Sequence, residues 1–88
     1  MAVYVDSGKY PFRGMLMCHL LADSLDELHQ MAEKIDMKRI WFQDHGTPHY
    51  DICQERRALA IKLGAIEIDR KKTVALIRMY RAQVELHT

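Results

Sequence analysis

The sequence predicts a small single-domain α/β sandwich, with about four strands in a mixed sheet and three helices in the order β-β-α-β-α-β-α. Three observations predict it. Residues 15–22, MLMCHLLA, are apolar on both parities, the pattern of a central strand covered on both faces. Helix-start signals stand at Ser24, Asp51 and Asp69, and short β-rich runs alternate with them. The chain has 88 residues, enough for one domain with a modest core.

Taken in order, residues 2–5 read as a first strand, broken by Asp6-Ser7-Gly8-Lys9. Tyr10-Pro11-Phe12-Arg13-Gly14 reads as a loop, and residues 15–22 as the second strand, antiparallel to the first. Ser24 followed by Glu27 is a capping box, and Asp26 and Glu27 suit the positive end of the helix dipole. Leu25, Leu28, Ala32 and Ile35 then recur at helical spacing, with His29 on the same stripe. Residues 39–43, RIWFQ, are β-rich and predict a third strand. Residues 44–48 are turn-rich, and His49-Tyr50 reads as a short extended piece. Asp51 with Gln54 reads as a second capping box, opening a helix that ends near Leu63 with Gly64 beyond it. Residues 65–68 predict the fourth strand, and Asp69 caps a last helix to about Glu85, striped by Thr73, Leu76, Ile77, Tyr80 and Val84. Strands joined through a helix are expected to be parallel.

Composition excludes several classes. Nearly half of the residues, 49%, are apolar, which is globular and not disordered. No apolar run reaches the roughly 18 residues of a membrane span. The first residues carry no basic stretch of the kind that opens a secretory leader. A net charge of +1 argues against binding nucleic acid by bulk electrostatics. The charge is uneven, with an excess of basic residues after Asp69, which reads as a solvated helix face. Cys18 and Cys53 form no C-x-x-C pair, so reduced thiols and a cytoplasmic setting are expected. A chain with so little core gains from oligomerisation, and the last helix, with Met79, Tyr80, Val84 and Leu86, predicts a homodimer or higher homo-oligomer.

The polar residues that stand out centre on His49-Tyr50-Asp51, with Arg56 and Arg57 soon after. His19 interrupts the apolar strand, and His29 lies on a buried helix stripe. Asp6 and Asp23 sit at strand ends. Unpaired burial costs such groups about 1–3 kcal/mol each, so their pairing must be arranged, and arranged polar clusters often form sites. Three chemistries fit. Histidines and a carboxylate can ligate a metal, although spacings of ten and twenty residues match no standard pattern. A histidine oriented by an aspartate can act as a general acid or base. Arginines in the first turns of a helix can hold a phosphate while Tyr50, Trp41 or Phe42 stacks on a base. His19, His49 and Asp51 are therefore the candidate catalytic residues. Asp6, Asp23, His29, Tyr50 and Arg57 are the candidate ligand-binding residues, with Arg57 the principal partner of a ligand phosphate. His19, His29 and Asp51 are expected to lie close together. The dinucleotide, P-loop, nucleophile-elbow and zincin motifs are missing, so the classes that they mark gain no support.

Asp6, the run His19-Leu20-Leu21-Ala22-Asp23, the run Leu25-Asp26-Glu27-Leu28-His29, His49-Tyr50-Asp51, Arg57 and Gly64-Ala65 together resemble the bacterial and phage family catalogued as domain of unknown function 4031. The resemblance covers nearly the whole chain. It implies a shared fold unit, a bacterial or phage origin, and a site that takes in His19, Asp23, His29, His49, Tyr50, Asp51 and Arg57. It carries no activity.

Three functions are open at this point. The first is a binding protein for a small phosphorylated or nucleotide-like ligand, which in a phage would sequester a host signalling nucleotide. The second is a small hydrolase or phosphoesterase using His19, His49 and Asp51, with or without a metal. The third is a self-associating structural or regulatory protein with buried histidines.

Overall fold

The computed structural model describes residues 2–44 and 46–87, with side chains described as far as residue 82. Among the described residues, five strands form one mixed sheet and three α-helices pack against it. Strand β1 is Val3–Val5, β2 Tyr10–Phe12, β3 Met15–Ala22, β4 Tyr50–Cys53 and β5 Ile66–Glu67. Helix α1 is Leu25–Lys34, α2 Gln54–Lys62 and α3 Arg70–His87.

The apolar run 15–22 is the centre of the sheet, as its composition requires. Met17 pairs with both Tyr10 and Cys53, and Leu20 pairs with both Val5 and Tyr50. A strand residue has one neighbour on each side, so β1 and β2 follow one another along one edge of β3 while β4 lies along the other. All three run antiparallel to β3, and β5 extends the sheet parallel to β1. Residues 6–9 are the break between two segments of a single edge.

Side-chain alternation along β3 divides the interior in two. Cys18, Leu20 and Ala22 join Leu28, Met31 and Ala32 of α1, Ala60 of α2, and Tyr50 and Ile52 of β4 in the main core. Leu21 points the other way and meets Ile68, Leu76 and Tyr4 under α3. Helices α1 and α2 thus cover one face, and α3 covers part of the other. His19 shares the parity of Leu21 but lies beyond this smaller cluster, where the sheet face is open.

Several local expectations change. Residues 39–41 form a 3-10 turn. Strand propensity reflects packing on a pleated, half-buried surface, and Ile40 finds none, being 83% exposed. The neighbouring pairing is a single bridge, Gln43 to His49. Tyr10–Phe12 is a strand and not a loop, because Arg13 (φ 49°) and Gly14 (φ 79°) make a two-residue hairpin turn with both φ values positive, the combination that matches strand twist. Asp51 is not a helix cap. Its backbone pairs with His19, and the helix starts three residues later. The alternation of buried Tyr50 and Ile52 with half-buried Asp51 and Cys53 is a strand period. Leu25, placed on the buried stripe, is 48% exposed.

The α1 connection also departs from the parallel rule. Residues 36–49 carry the chain back along the length of the helix, so β4 enters against β3. The α2 connection keeps the rule, since β4 and β5 run in the same direction. Other expectations stand as read. Ser24 accepts a hydrogen bond from the Glu27 backbone, Asp69 accepts one from the Lys72 backbone, and Gly64 has φ 110° after α2. Both cysteines are free thiols. Burial pushes the Cys18 thiol up to about 12, so it is a packing residue at neutral pH. No helix among the described residues is long and apolar enough to cross a membrane. The Val84 and Leu86 side chains, part of the expected self-association surface, lie outside the described residues.

Candidate functional site

The open part of the β3 face gathers His19, His49 and Asp51. Strand register brings the first and last together, because His19 is the direct partner of Asp51. Directly opposed residues on antiparallel strands project from the same face. His49 shares the parity of Asp51 and approaches through the Gln43 bridge. The Nε2 atom of His19 stands 3.7 Å from Asp51 Oδ1, and Nε2 of His49 stands 3.6 Å from that same oxygen. The two imidazole rings meet edge to face at 5.1 Å.

The far nitrogen of each imidazole is engaged. His19 Nδ1 is 2.6 Å from Asp6 Oδ2, and His49 Nδ1 is 2.8 Å from the Thr47 carbonyl oxygen. A carboxylate and a carbonyl only accept, so Nδ1 of each ring carries the proton. In the neutral rings both Nε2 lone pairs then face Asp51.

Asp6 lies at the break between β1 and β2, and its carboxylate also accepts the backbone N–H groups of His19 and Gly8. Burial opposes its charge, but these hydrogen bonds outweigh burial and hold the carboxyl below its ordinary value. The Asp6 hydrogen bond, aided by the charges of Asp6 and Asp51, raises the His19 pKa against the opposing effect of burial. Gln43 Nε2 donates to Asp51 Oδ2, and the Tyr10 hydroxyl lies 3.5 Å from Asp51 Oδ1. Burial and the nearby Asp51 and Asp6 charges raise the Tyr10 pKa, so its phenol stays protonated.

A groove of about 720 Å³ opens beside the cluster. It reaches the cluster through Tyr10, Gln43 and Asp51, and Trp41, Phe42 and Arg13 are among its further walls. Trp41 is 45% exposed. The groove wall therefore includes the aromatic residues Tyr10, Phe12, Trp41 and Phe42, and Asp51 joins it to the His19–His49–Asp51 cluster.

The remaining sequence candidates lie elsewhere. His29 and Tyr50 belong to the α1 side of the sheet. They share a 2.8 Å hydrogen bond there and pack with Phe42. The expected grouping of His19 with His29 is thus divided by the sheet, because Tyr50 and Asp51 are neighbours of opposite parity. Asp23 accepts hydrogen bonds from the Ala2 backbone and the Tyr4 hydroxyl. It is four residues along β3 from His19, about 13 Å at strand rise. Arg57 donates to the Asp6 carbonyl and pairs with Glu67 at 3.2 Å. Arg56 donates to the Ile35 and Asp36 carbonyls at the end of α1, and it also lines the groove. Both guanidinium groups read as anchors of the scaffold, and the one on Asp6 supports the site from behind. Sequence reasoning missed Tyr10, Gln43 and the Thr47 carbonyl as site groups. Tyr10 is 41 residues from Asp51, and no local spacing signals such a contact.

A search of the curated proteins and of the solved structures finds no match. A family model matches residues 3–80, nearly the whole fold including every residue of the cluster. The chain belongs to the family described as protein of unknown function DUF4031.

Proposed function

We propose that this protein hydrolyses a small phosphorylated, ring-bearing ester of nucleotide-like character at the His19–His49–Asp51 cluster. The observation that carries this reading is the convergence of two imidazole Nε2 atoms on one Asp51 oxygen beside a groove with aromatic residues in its wall. Tyr10, Trp41 and Phe42 offer faces for a planar ring, and Arg13 adds positive charge for a phosphate. Water held at the cluster hydrogen-bonds to these acceptor atoms and loses a proton to them or to solvent. Its oxygen adds to phosphorus, the bond to the leaving oxygen breaks, and that oxygen takes up a proton from solvent. The Tyr10 hydroxyl, 3.5 Å from Asp51 Oδ1, would turn its one hydrogen from Asp51 to the reacting phosphoryl group.

A second reading is recognition without turnover, including sequestration of a signalling nucleotide. It is favoured by Asp51, whose two oxygens already meet Gln43 and Tyr10 as donors, as a carboxylate does in a binding pocket.

The test is a panel of nucleoside phosphates, cyclic nucleotides and sugar phosphates, scored for thermal stabilisation and for product. Hydrolysis lost in Asp51→Asn supports the first reading. Stabilisation without product replaces it with the second. Neither stabilisation nor product across the panel overturns both.

A further inference from the structure

We propose that His19 Nε2, His49 Nε2 and Asp51 Oδ1 bind one divalent first-row transition metal ion, with Zn²⁺ the best match to the ligand set. The inference rests on the hydrolytic reading for the use of the ion and on geometry alone for its binding. The three ligand atoms lie within 4.8 Å of one another. An ion about 2.0–2.2 Å from each ligand brings such atoms to roughly 3.4 Å apart. The two separations to Asp51, 3.6 and 3.7 Å, are close to that. Small rotations of half-buried side chains complete the approach.

Proton placement leaves a position suited to a cation. With Nδ1 of both rings donating away from the cluster, two lone pairs and a carboxylate oxygen face one another with no hydrogen between them. The separations also exceed ordinary hydrogen-bond length. Imidazolium protons or a metal ion would each offset this repulsion, and a metal ion does so with both rings neutral.

The outer groups match those that metal ligands use. Asp6 behind His19 makes a carboxylate–histidine arm, the Thr47 carbonyl fixes His49, and Gln43 holds the second oxygen of Asp51. Such partners set the tautomer and orient the ligand. Three protein ligands leave coordination positions for water and substrate, as in catalytic and not structural sites. These positions face the groove at Tyr10. The side chains of His19 and Asp51 are 36% and 32% exposed, which gives an ion a route in. Two imidazoles with one carboxylate favour Zn²⁺, Fe²⁺, Co²⁺ or Mn²⁺ over Mg²⁺ and Ca²⁺, which take oxygen ligands. Bound there, the ion lowers the pKa of a coordinated water toward neutrality.

The test is titration of the chelator-stripped full chain with Zn²⁺, Co²⁺, Mn²⁺ and Mg²⁺, followed by calorimetry, thermal shift and the visible absorption of Co²⁺. The expected result is about one ion per chain, with Zn²⁺ and Co²⁺ well ahead of Mg²⁺. Binding is lost in His49→Ala and Asp51→Ala, weakened about 10–100-fold in Asp6→Asn, and unchanged in His29→Ala. Circular dichroism checks each fold, and His49→Gln replaces any alanine variant that does not fold. No ion binding by the folded wild type, or binding that survives both ligand substitutions, overturns the proposal. Ion binding without hydrolysis removes the hydrolytic reading and leaves the metal site. Hydrolysis that persists in chelator with no ion bound keeps the hydrolytic reading and removes the ion's part in it, while the titration alone decides the site.

Discussion

His19 and His29 stand on opposite faces of one sheet, beside two consecutive residues of β4. His19 pairs through the backbone with Asp51, and His29 bonds the side chain of Tyr50. Their surroundings push them in opposite directions. The Asp6 hydrogen bond raises the His19 pKa. Burial, with help from Arg39 and against Asp26 and Glu33, lowers that of His29. His29 is enclosed by Tyr50 and Phe42 and has its hydrogen bond within the protein. His19 keeps Nε2 toward a half-exposed carboxylate and a groove. His29, packed with Tyr50 and Phe42, and His19, in the cluster, thus differ in the partner that Nδ1 meets, a phenol in one case and a carboxylate in the other. Residue type and hydrophobic spacing do not make that distinction.

The largest effect that can break this comparison is on turnover. His49→Ala and Asp51→Asn are expected to reduce hydrolysis about 10²–10⁴-fold, while His29→Ala leaves it within a few-fold. Steady-state kinetics on folded variants check this, and equal losses on both faces would erase the distinction.

Stability is expected to show the reverse order. Tyr50 is 1% exposed, so Tyr50→Phe leaves His29 without its partner and costs about 1–3 kcal/mol by urea unfolding. The cluster on the other face is half exposed, and His49→Ala costs less. Equal or greater loss in His49→Ala would make the cluster a structural device.

The pH dependence sharpens the contrast. His29 has a folded pKa below its unfolded value of about 6.5. The unfolded state therefore binds more protons in that window, and stability from this group is present above about 6.5 and lost as pH falls through the folded value. For His19 the folded pKa is the higher one. Its contribution is present below about 6.5 and lost as pH rises through the folded value. Unfolding followed from acid to alkaline pH should show the acid loss reduced in His29→Gln and the alkaline loss reduced in His19→Gln. The opposite assignment would reverse the two environments.

The smallest effect is at Arg57. Its guanidinium reaches the Asp6 carbonyl and Glu67 together, and a lysine ammonium keeps one of these contacts. Arg57→Lys is expected to cost about 1 kcal/mol and to lower turnover a few-fold by loosening Asp6. Loss of substrate affinity with unchanged stability would instead restore Arg57 as an anion ligand.

Much of this fold was legible in sequence because some segments carry their own instructions. The run 15–22 is apolar on both parities, and Leu20, Leu21 and Ala22 are buried on the two sides of the sheet, while Met15 and Leu16 at its start are exposed. Ser24, Gly64 and Asp69 mark helix ends by local chemistry, and each acts as read. The rest depends on partners distant in the chain. Residues 39–41 have strand composition but no sheet to join. Asp51 has the residue type of a helix cap, yet its backbone is committed to His19. The members of the cluster, His19, His49 and Asp51, could be named from their types, and so could Asp6 beside it. Their separation from His29 and Tyr50 could not, because it depends on strand register, which a misread cap at Asp51 conceals. Tyr10 and Gln43 were hidden for a related reason. One sits on a hairpin read as a loop, and the other on a bridge read as a strand.

The central claim is that His19 and His49 present unprotonated Nε2 atoms to Asp51 on one open face. Long-range nitrogen–proton NMR of the histidine side chains, in the metal-free protein at a pH where the rings are neutral, tests it most directly. The account predicts the Nδ1–H tautomer for both His19 and His49, with both Nε2 signals moving on addition of Zn²⁺ while the His29 signals stay in place. An Nε2–H tautomer at either residue, or a Zn²⁺ response confined to His29, would contradict it.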